Sequence, residues 1–354
     1  MILENYFDLL IDEKIDSITN SPICISGVDS IINYIYLELK DNFPEGKFQF
    51  NLKKYFPLPT IISWKNGVYP IPLVKLKQLL KLWGLVCQKN EKEIMTLYDK
   101  CFIQAKHFQA QNSPIKINVI KEITPDLAYF LGVLYADGSL RNVNLTFNQE
   151  KRFRWEITIT DETPCNLEII SSQLETIFGN KTNVKKVYAG KWHRILFSSM
   201  ILHRILNNVF EMPMGYKKGK LKIPKIIKNS PMEIKKHFLI GFFDGDGTCS
   251  RINNKKKFTP TISVSQSSKN ILLELNDILN EKGINFNLYQ KFSNNYIYYV
   301  LETKKKKTIK EFQESFGFKH PHKDKRLKTL VESFDKSKAA KSSYFSSYLE
   351  DTLL

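Results

Sequence analysis

Two aspartates are the residues of this chain whose positions could support chemistry. Asp137 and Asp246 each stand directly before a glycine at the end of an apolar run. Two carboxylates held close together repel each other and favour a counter-cation. Mg²⁺ suits such oxygen ligands and keeps several waters, one of which could attack a phosphodiester. The pair therefore predicts a site for Mg²⁺ or Mn²⁺, provided that the fold brings both runs together.

The two runs are predicted to be buried helices. Residues 130–138 are FLGVLYADG and residues 239–247 are LIGFFDGDG. An apolar run of this length indicates a buried helix, and a glycine often follows a helix end because it tolerates the left-handed backbone there. The alternative is that each aspartate merely precedes a capping glycine. Two copies with matched starts and matched downstream strands disfavour that alternative.

Small residues give the two helices a face on which they can pack together. Gly132 and Ala136 lie four residues apart, as do Gly241 and Gly245, so each pair shares one helix face. Close packing there would bring both aspartates to one end of the helix pair, beside free helix-end carbonyl groups. The helix-end residues Ala136 and Gly245 are therefore predicted to join the two aspartates as metal ligands.

Both runs resemble the LAGLIDADG motif of the homing endonucleases. The second run is the better match, and the first departs from the consensus at Tyr135, where Asp is common. In this family the metal-binding carboxylate directly precedes the last glycine, which maps onto Asp137 and Asp246. The resemblance covers about residues 124–330. It implies a site-specific double-strand DNA endonuclease that uses a divalent metal, and a monomer whose two repeats form an internal pseudo-dimer.

The same resemblance points to a lysine near the end of each repeat, which would offset charge or order water. The first repeat contains GYKKGKLKIP from residue 215, similar to the family's Gly-x-Lys segment, and Lys217 is the candidate. The second ends in FGFKHPHK from residue 316, and Lys323 is the candidate. Near-equal offsets from the two aspartates support this pairing. Lys218 and Lys325 are the alternatives, and phosphate-contacting or merely solvated lysines remain a further interpretation.

After each apolar run, the sequence pattern changes to the alternation of polar and apolar residues that is typical of strands. The order helix, two strands, helix, two strands, helix is predicted twice. In the segment 142–148, Val143, Leu145 and Phe147 alternate with polar residues, which are predicted to face solvent. We therefore predict an α+β fold with two pseudo-symmetric αββαββα repeats. In the family that this chain resembles, the two sheets form saddles that bind DNA in the major groove.

The wet faces of these sheets are rich in the side chains that contact bases and phosphates. Each residue alone is an ordinary solvated strand position, and the set as a whole favours nucleic acid. The candidates are Asn142, Asn144, Thr146, Asn148, Arg154, Lys186, Tyr188, Arg194, Lys257, Thr261, Ser263, Gln290 and Tyr298.

The first 115 residues have a helical pattern and are predicted to form an all-α domain. The string TIISWKNG from residue 60, followed by a proline and an amphipathic helix, resembles the helix-turn-helix of phage-repressor-type DNA-binding domains. In that family Thr60, Ser63 and Lys65 would face the major groove and Trp64 would pack inward. A plain helical bundle with a surface tryptophan is the alternative. The predicted domains are 1–115, 121–229, 230–334 and a polar tail at 335–354.

Composition limits the classes of partner. The chain has 354 residues and a net charge of +17, which favours a polyanion, with nucleic acid ahead of an anionic membrane surface. A lysine-rich proteome without such a partner is the alternative. No apolar run is long enough to span a membrane, and the N-terminus does not resemble a signal peptide. Five cysteines without a CxxC pair predict reduced thiols in an intracellular, nucleoid-associated protein.

Other functions stay open alongside the nuclease. A transcriptional regulator that binds DNA without cutting it, or an RNA-splicing maturase, could use the same fold. The retained aspartates argue against a simple loss of cleavage. An intein is disfavoured, because the chain begins with Met and lacks a His-Asn end. His320 and His322 are predicted to be surface residues rather than metal ligands, because no third ligand stands out.

Overall fold

The computed structural model of the protein describes most of the chain. It covers residues 1–14, 16, 21–44, 46–111, 113–147, 150–179, 184–186, 192–250, 259–293 and 296–334, and only the backbone at 144–147, 150–153 and 184–186. Within these residues, none of the helices combines the length and the apolar character needed to cross a bilayer. None of the five cysteines is paired with another in this structure, and Cys24, Cys101 and Cys249 are buried.

The amino-terminal part combines helices with a small sheet. The helices are α1 (Phe7–Leu10), α2 (Asp29–Asn42), α3 (Phe48–Lys53), α4 (Leu58–Lys65), α5 (Leu73–Val86) and α6 (Glu91–Gln104). Strands β1 (Ile23–Ser26), β2 (Ile71–Pro72), β3 (His107–Ala110) and β4 (Lys116–Asn118) form an antiparallel sheet in the order β2-β1-β3-β4.

The prediction of an all-α amino-terminal domain was therefore wrong. β1 has only four residues, and three of them are buried, so it shows no alternation that would distinguish it from a helix. The end of the predicted domain, around residue 115, lies between β3 and β4. Because β3 pairs with β4, the sheet continues past residue 115 to Asn118.

The first repeat follows the predicted order. It consists of α7 (Pro125–Asp137), β5 (Gly138–Phe147), β6 (Glu150–Asp161), α8 (Pro164–Phe178), β7 (Val184–Lys186), β8 (His193–Ser198) and α9 (Met200–Arg204). A π-helical turn at Ile205–Val209 extends α9, and α10 (Lys225–Lys228) leads into the second repeat. The antiparallel sheet has the order β5-β6-β8-β7. Thr124 caps α7, because its hydroxyl oxygen accepts a hydrogen bond from Leu127 N at 3.1 Å.

The second repeat has the same topology. It consists of α11 (Met232–Asp246), β9 (Gly247–Cys249), β10 (Ile262–Gln266), α12 (Lys269–Asn280), β11 (Asn287–Ser293), β12 (Tyr296–Thr303) and α13 (Lys306–Ser315), and residues 321–334 form a last helix, α14. Its sheet has the order β11-β12-β10-β9. The first strand of this repeat, β9, has only three residues. The α+β fold with two αββαββα repeats is confirmed.

Helices α7 and α11 cross at their small residues, as predicted. A Cβ built on Gly132 would lie 2.7 Å from Phe242 N and would overlap Phe238 O. A Cβ built on Gly241 would overlap Tyr129 O in the same way. The two backbones are therefore in direct contact, and no side chain larger than hydrogen fits at either position.

The glycines that follow the two aspartates serve a different purpose from the one predicted. Gly138 and Gly247 have φ values of −86° and −76°, so neither adopts the left-handed conformation. A Cβ on Gly138 would overlap Leu134 O, and one on Gly247 would overlap Phe243 O. Glycine is required because the chain passes directly from helix to strand over the last helical turn.

The amino-terminal part and the repeats share one hydrophobic core, which extends from Leu3 to Phe334. A buried ion pair also joins them. Arg204 in α9 donates from Nη2 to Asp16 Oδ1 at 2.8 Å and from Nη1 to Leu10 O at 2.7 Å. Both charged residues are less than 10% exposed. The amino-terminal segment is thus fixed against the first repeat.

Candidate active site

The two motif aspartates lie at the same end of the crossed helices. Asp137 and Asp246 are the last residues of α7 and α11. A Cβ on Gly245 would lie 2.9 Å from Asp137 Oδ2, so this carboxylate rests against the end of the opposite helix. Burial and, to a smaller extent, the negative charge of Asp246 together raise the pKa of Asp137 to about 7. Burial also raises the pKa of Asp246.

Each predicted lysine binds the end of the motif helix in its own repeat. Lys217 Nζ donates to Tyr135 O and Ala136 O, both at 2.9 Å. Lys323 Nζ donates to Gly245 O at 2.6 Å, and also to the two preceding carbonyl oxygens. Ammonium groups at helix carboxyl ends satisfy free carbonyls and oppose the partial negative charge there.

Both ammonium groups are buried beside the aspartates. Burial lowers the pKa of Lys217, while Asp246 and then Asp137 oppose this effect. Burial lowers the pKa of Lys323 as well, and Asp137 is the carboxylate that opposes it most strongly. Each lysine therefore caps its own helix and interacts most strongly with the aspartate of the other repeat. The alternatives do not share this geometry, since Lys218 Nζ lies over the Tyr296 ring at 3.8 Å and Lys325 is exposed.

The carboxylates fit a divalent cation. Among the described residues, no donor forms a hydrogen bond with the Asp137 carboxylate, and no group of three His, Cys, Asp or Glu side chains is arranged to hold a metal. Mg²⁺ commonly takes one or two protein carboxylates and completes its shell with waters and substrate phosphates. Two aspartates are therefore sufficient protein ligands. Ala136 and Gly245 were also predicted as metal ligands. Their carbonyl oxygens already accept hydrogen bonds from the two lysines, so they are not free to bind a metal in the way that the carboxylates are.

Sequence reasoning missed two polar residues at the strand ends beside this site. Gln266, at the end of β10, donates from Nε2 to Asp246 Oδ2 at 2.5 Å. Asp161 ends β6, the corresponding strand of the first repeat, and raises the pKa of Asp137 through its charge. Both residues are the last residue of the second strand after each motif, and this equivalent position in the two repeats could have identified them from the sequence.

A second buried carboxylate was also missed. Asp244 is 2% exposed and accepts hydrogen bonds at Oδ2 from Tyr129 Oη at 2.8 Å and from the backbone N–H of Lys319 and His320. Burial raises the pKa of Asp244 to about 6. The prediction of a surface position was wrong for His320, which is 5% exposed because it packs beside Asp161, whereas His322 is exposed.

The pairing of β5 with β6 corrects the predicted face of β5. Asn142 lies opposite Trp155, and Val143 lies opposite Arg154. Trp155 is 8% exposed and faces the core, so Asn142 faces inward and Val143 outward. Asn142 Oδ1 is accordingly buried, with no partner among the described residues. An error of one residue in the assigned face inverts the whole strand.

Two first-repeat candidates do lie on the outer face. Arg154 is exposed and forms an ion pair with Glu156 at 3.1 Å, and Arg194 is exposed opposite Thr160. Arg141 lies opposite Glu156 on the same face and is exposed, but it was not predicted. Asn144, Thr146 and Lys186 lie on strands whose side chains are outside the described residues, as are Asn148, Tyr188 and Lys257 altogether.

The second sheet divides its candidates between two faces. Ser263, opposite Glu302, lies on the face away from the core, although it is only 8% exposed. Tyr298 lies opposite Lys291 on that face, whereas Gln290 lies opposite Tyr299, on the face of the core residue Leu301. Gln290 therefore lies on the core side of the sheet, although its side chain is exposed. Thr261 precedes β10 and donates its hydroxyl to Thr259 O.

The candidate helix-turn-helix residues lie on α4. Trp64 is 6% exposed and packs edge-on against Phe56, as predicted. Thr60, Ser63 and Lys65 are half-buried. Ser63 Oγ donates to Pro59 O within the helix, and Lys65 Nζ lies 4.9 Å from the centre of the Tyr36 ring.

Two of the solved structures to which the chain is similar are complexes of proteins with DNA. The crystal structure of I-DmoI with DNA and Ca has a TM-score of 0.41 and 17% identity, covering 55% of this chain and 91% of that one. The I-SmaMI LAGLIDADG homing endonuclease bound to cleaved DNA has a TM-score of 0.44 and 13% identity, covering 61% and 91%.

Sequence comparisons give two kinds of relative. The probable translation initiation factor IF-2 of Methanocaldococcus jannaschii is 24% identical over 59% of this chain, but the match spans only 16% of that protein. The homing endonuclease I-ApeI of Aeropyrum pernix is 27% identical over 46% of this chain and 71% of that protein. Residues 233–317 match the model of the LAGLIDADG-like domain. This segment of the chain is therefore similar to the LAGLIDADG-like domain family, and the match includes the second motif helix, α11, which agrees with the resemblance seen there in the sequence.

Proposed function

We propose that the protein is a site-specific endonuclease that hydrolyses both strands of double-stranded DNA with Mg²⁺ or Mn²⁺. The observation that carries this proposal is the paired arrangement at the helix ends. Asp137 and Asp246 meet there, and Lys217 and Lys323 cap the same two helices. An ion pair with a purely structural role would need only one aspartate and one lysine. This site instead contains one aspartate and one lysine from each repeat.

The residues of the chain have distinct tasks in this proposal. Asp137 and Asp246 would hold the cation, which when bound would neutralise charge at the phosphate and lower the pKa of a water. Lys217 and Lys323 keep positive charge beside the carboxylates, where it stabilises negative charge that develops during hydrolysis. Gln266 holds the Asp246 carboxylate through its amide.

The outer faces of the two sheets are the proposed DNA surface. Arg154, Arg194 and Tyr298 remain candidates for base and phosphate contacts, and Arg141 joins them. We also propose that α4 adds contacts beyond the repeats, and that one chain suffices for cleavage because it contains both halves of the site. A DNA substrate would place the protein in the cytoplasm at the nucleoid.

Cleavage of a randomised duplex library, with the cut ends sequenced, tests the proposal for any target sequence. The wild-type protein with Mg²⁺ is expected to enrich one sequence among the cut ends. Asp137→Asn and Asp246→Asn should each slow cleavage of that sequence by at least about 100-fold, because each removes a charge that stabilises the transition state. Binding without Mg²⁺ should persist in both variants.

Asp126→Asn is the matched control, since Asp126 is an exposed acid at the opposite end of α7. It should cut at the wild-type rate. Wild-type protein that cuts no faster than the two active-site variants would refute the nuclease proposal. Tight, Mg²⁺-independent DNA binding without cleavage would then support the regulator, and preferential binding of intron RNA would support the maturase.

A further inference from the structure

The segment that carries Lys323 is held in place by Asp244. This carboxylate accepts hydrogen bonds from the backbone N–H of Lys319 at 3.1 Å and of His320 at 2.9 Å. The carbonyl oxygen of His320 then accepts from Lys323 N at 3.0 Å, at the start of α14. The position of the lysine therefore depends on a buried carboxylate two residues before Asp246.

The first repeat contacts both Asp244 and the segment that it holds. Tyr129 of α7 donates its hydroxyl to Asp244 Oδ2 at 2.8 Å. His320 Nδ1 accepts from His322 N, so the proton of a neutral imidazole lies on Nε2. That nitrogen lies 3.5 Å from Asp161 Oδ2. His320 thus connects the Lys323 segment to a strand of the other repeat.

The segment that carries Lys217 is anchored differently. Tyr135 stands where the second helix has Asp244, and it donates its hydroxyl to Phe210 O at 2.6 Å. Leu221 N donates to Ser268 Oγ at 3.1 Å, which ties the segment to the second repeat. The carboxylate that contacts this segment is Glu274, whose side chain is 17% exposed, and it accepts from Ile223 N, six residues after Lys217, at 2.5 Å. The two lysines thus have equivalent caps but unequal supports.

We propose that Asp244 and His320 are positioning residues for Lys323, and that their loss impairs hydrolysis of one DNA strand more than the other. The inference rests on the proposed nuclease function. A duplex presents two scissile phosphates, and the pseudo-two-fold arrangement offers one lysine to each. A shift of the Lys323 segment leaves the Lys217 carbonyl contacts unchanged, so only one phosphate should lose its full complement of charge.

The experiment measures the cleavage rate of each strand of a duplex target, labelled on opposite strands. Lys217→Met and Lys323→Met first establish which strand depends on which lysine. Asp244→Asn is then expected to slow the Lys323-dependent strand at least tenfold more than the other strand. His320→Leu should produce the same bias, while His320→Gln, which keeps a donor towards Asp161, should restore a strand ratio near that of wild type.

Asp324→Asn is the matched control, because Asp324 lies in the same turn but pairs with Lys328 at 2.8 Å. It should leave the strand ratio unchanged. DNA affinity and the thermal midpoint, measured for every variant, separate folding defects from a change in strand ratio. His320→Leu provides a second route to the result should Asp244→Asn fail to fold.

Three outcomes overturn the inference. Asp244→Asn and His320→Leu could slow both strands equally or slow the Lys217-dependent strand. The two lysine variants could also slow the same strand. In each of these cases the wild-type protein still cuts both strands, so the nuclease proposal stands. A wild-type protein that cuts neither strand refutes the nuclease proposal itself, and this inference falls with it.

Discussion

Lys217 and Lys323 show how single side chains reconcile burial with charge. Each ammonium group lies in an environment that lowers its pKa, yet each donates hydrogen bonds to carbonyls at a helix end. The carbonyls would otherwise lack partners, and the helix end attracts a cation. The lysines therefore support the fold and the proposed chemistry with the same atoms.

His203 is a buried histidine outside the site, and it should make stability depend on pH. It is 2% exposed, its ring packs 4.9 Å from Trp155, and its Nε2 has no partner among the described residues. Burial lowers the pKa of His203 to about 4. The unfolded chain, with a histidine pKa of about 6.5, thus binds a proton first as the pH falls. Between pH 7.5 and pH 5 this group should reduce the free energy of unfolding by about 2 kcal/mol.

Urea unfolding at the two pH values, for wild type and His203→Leu, measures this contribution. Leucine does not titrate, so the variant should lose about 2 kcal/mol less than wild type on acidification. The comparison removes the effect of other titrating groups, which both proteins share. Equal losses in the two proteins would show that His203 is protonated in the folded state or accessible to water.

The crossing of α7 and α11 makes a prediction at the scale of the elements. Gly241→Ala would place a methyl group against Tyr129 O and 3.1 Å from Val133 N, both of which are backbone atoms of the facing helix. The helices must separate, which should cost about 1–3 kcal/mol or more despite alanine's better helix propensity. Urea unfolding is the measurement.

Gly84→Ala in α5 is the control for this substitution. Its added methyl group would meet the end of the Ile94 side chain, which can rotate away. Its effect should stay within about 1 kcal/mol, the difference in helix propensity between glycine and alanine. Equal losses for Gly84→Ala and Gly241→Ala would indicate that the crossing tolerates a Cβ.

The elements also show what the sequence can predict. Helices α7 and α11 were predictable, because an apolar run with small residues four apart specifies both burial and close packing. Lys217 and Lys323 were candidates because the family that the motifs resemble has a lysine near the end of each repeat, and their near-equal offsets from the two aspartates supported the choice. The wrong face of the strand β5 was predicted to point to the core. The alternation of polar and apolar residues in β5 did not identify the core face, which only the pairing with β6 shows.

Contacts between distant segments could not be predicted in the same way. Asp161 and Gln266 join the site at strand ends whose direction depends on the complete fold, and Asp244 of α11 binds the backbone of Lys319 and His320, which are distant in sequence. The amino-terminal sheet was missed for a related reason. β1 and β2 are four and two residues long, and they form a sheet only because the chain returns at β3.

At the scale of the whole molecule, the buried pair Arg204–Asp16 joins the amino-terminal part to the repeats. Asp16→Asn leaves the guanidinium group of Arg204 buried without its counter-charge. The free energy of unfolding should fall by about 3 kcal/mol or more, because the desolvated charge is no longer compensated. The midpoint of urea unfolding, followed by tryptophan fluorescence, checks this value.

Glu281→Gln provides the comparison. Glu281 pairs with Lys235 at 2.9 Å, but its side chain is 45% exposed. Water and salt screen such a pair, so its removal should cost less than about 1 kcal/mol. A loss for Asp16→Asn as small as that for Glu281→Gln would show that the joint between the amino-terminal part and the first repeat is open to solvent.

The reciprocal support of the two lysine segments limits how the halves can be exchanged between proteins. Ser268 in the second repeat holds the segment of Lys217, and Asp161 in the first repeat faces the segment of Lys323. A chimera assembled from halves of two different parents would separate each lysine from the residue that anchors it. An exchange of halves at the boundary near residue 230 should therefore give an active protein only when the anchor residues are transferred together with the lysine segments that they hold.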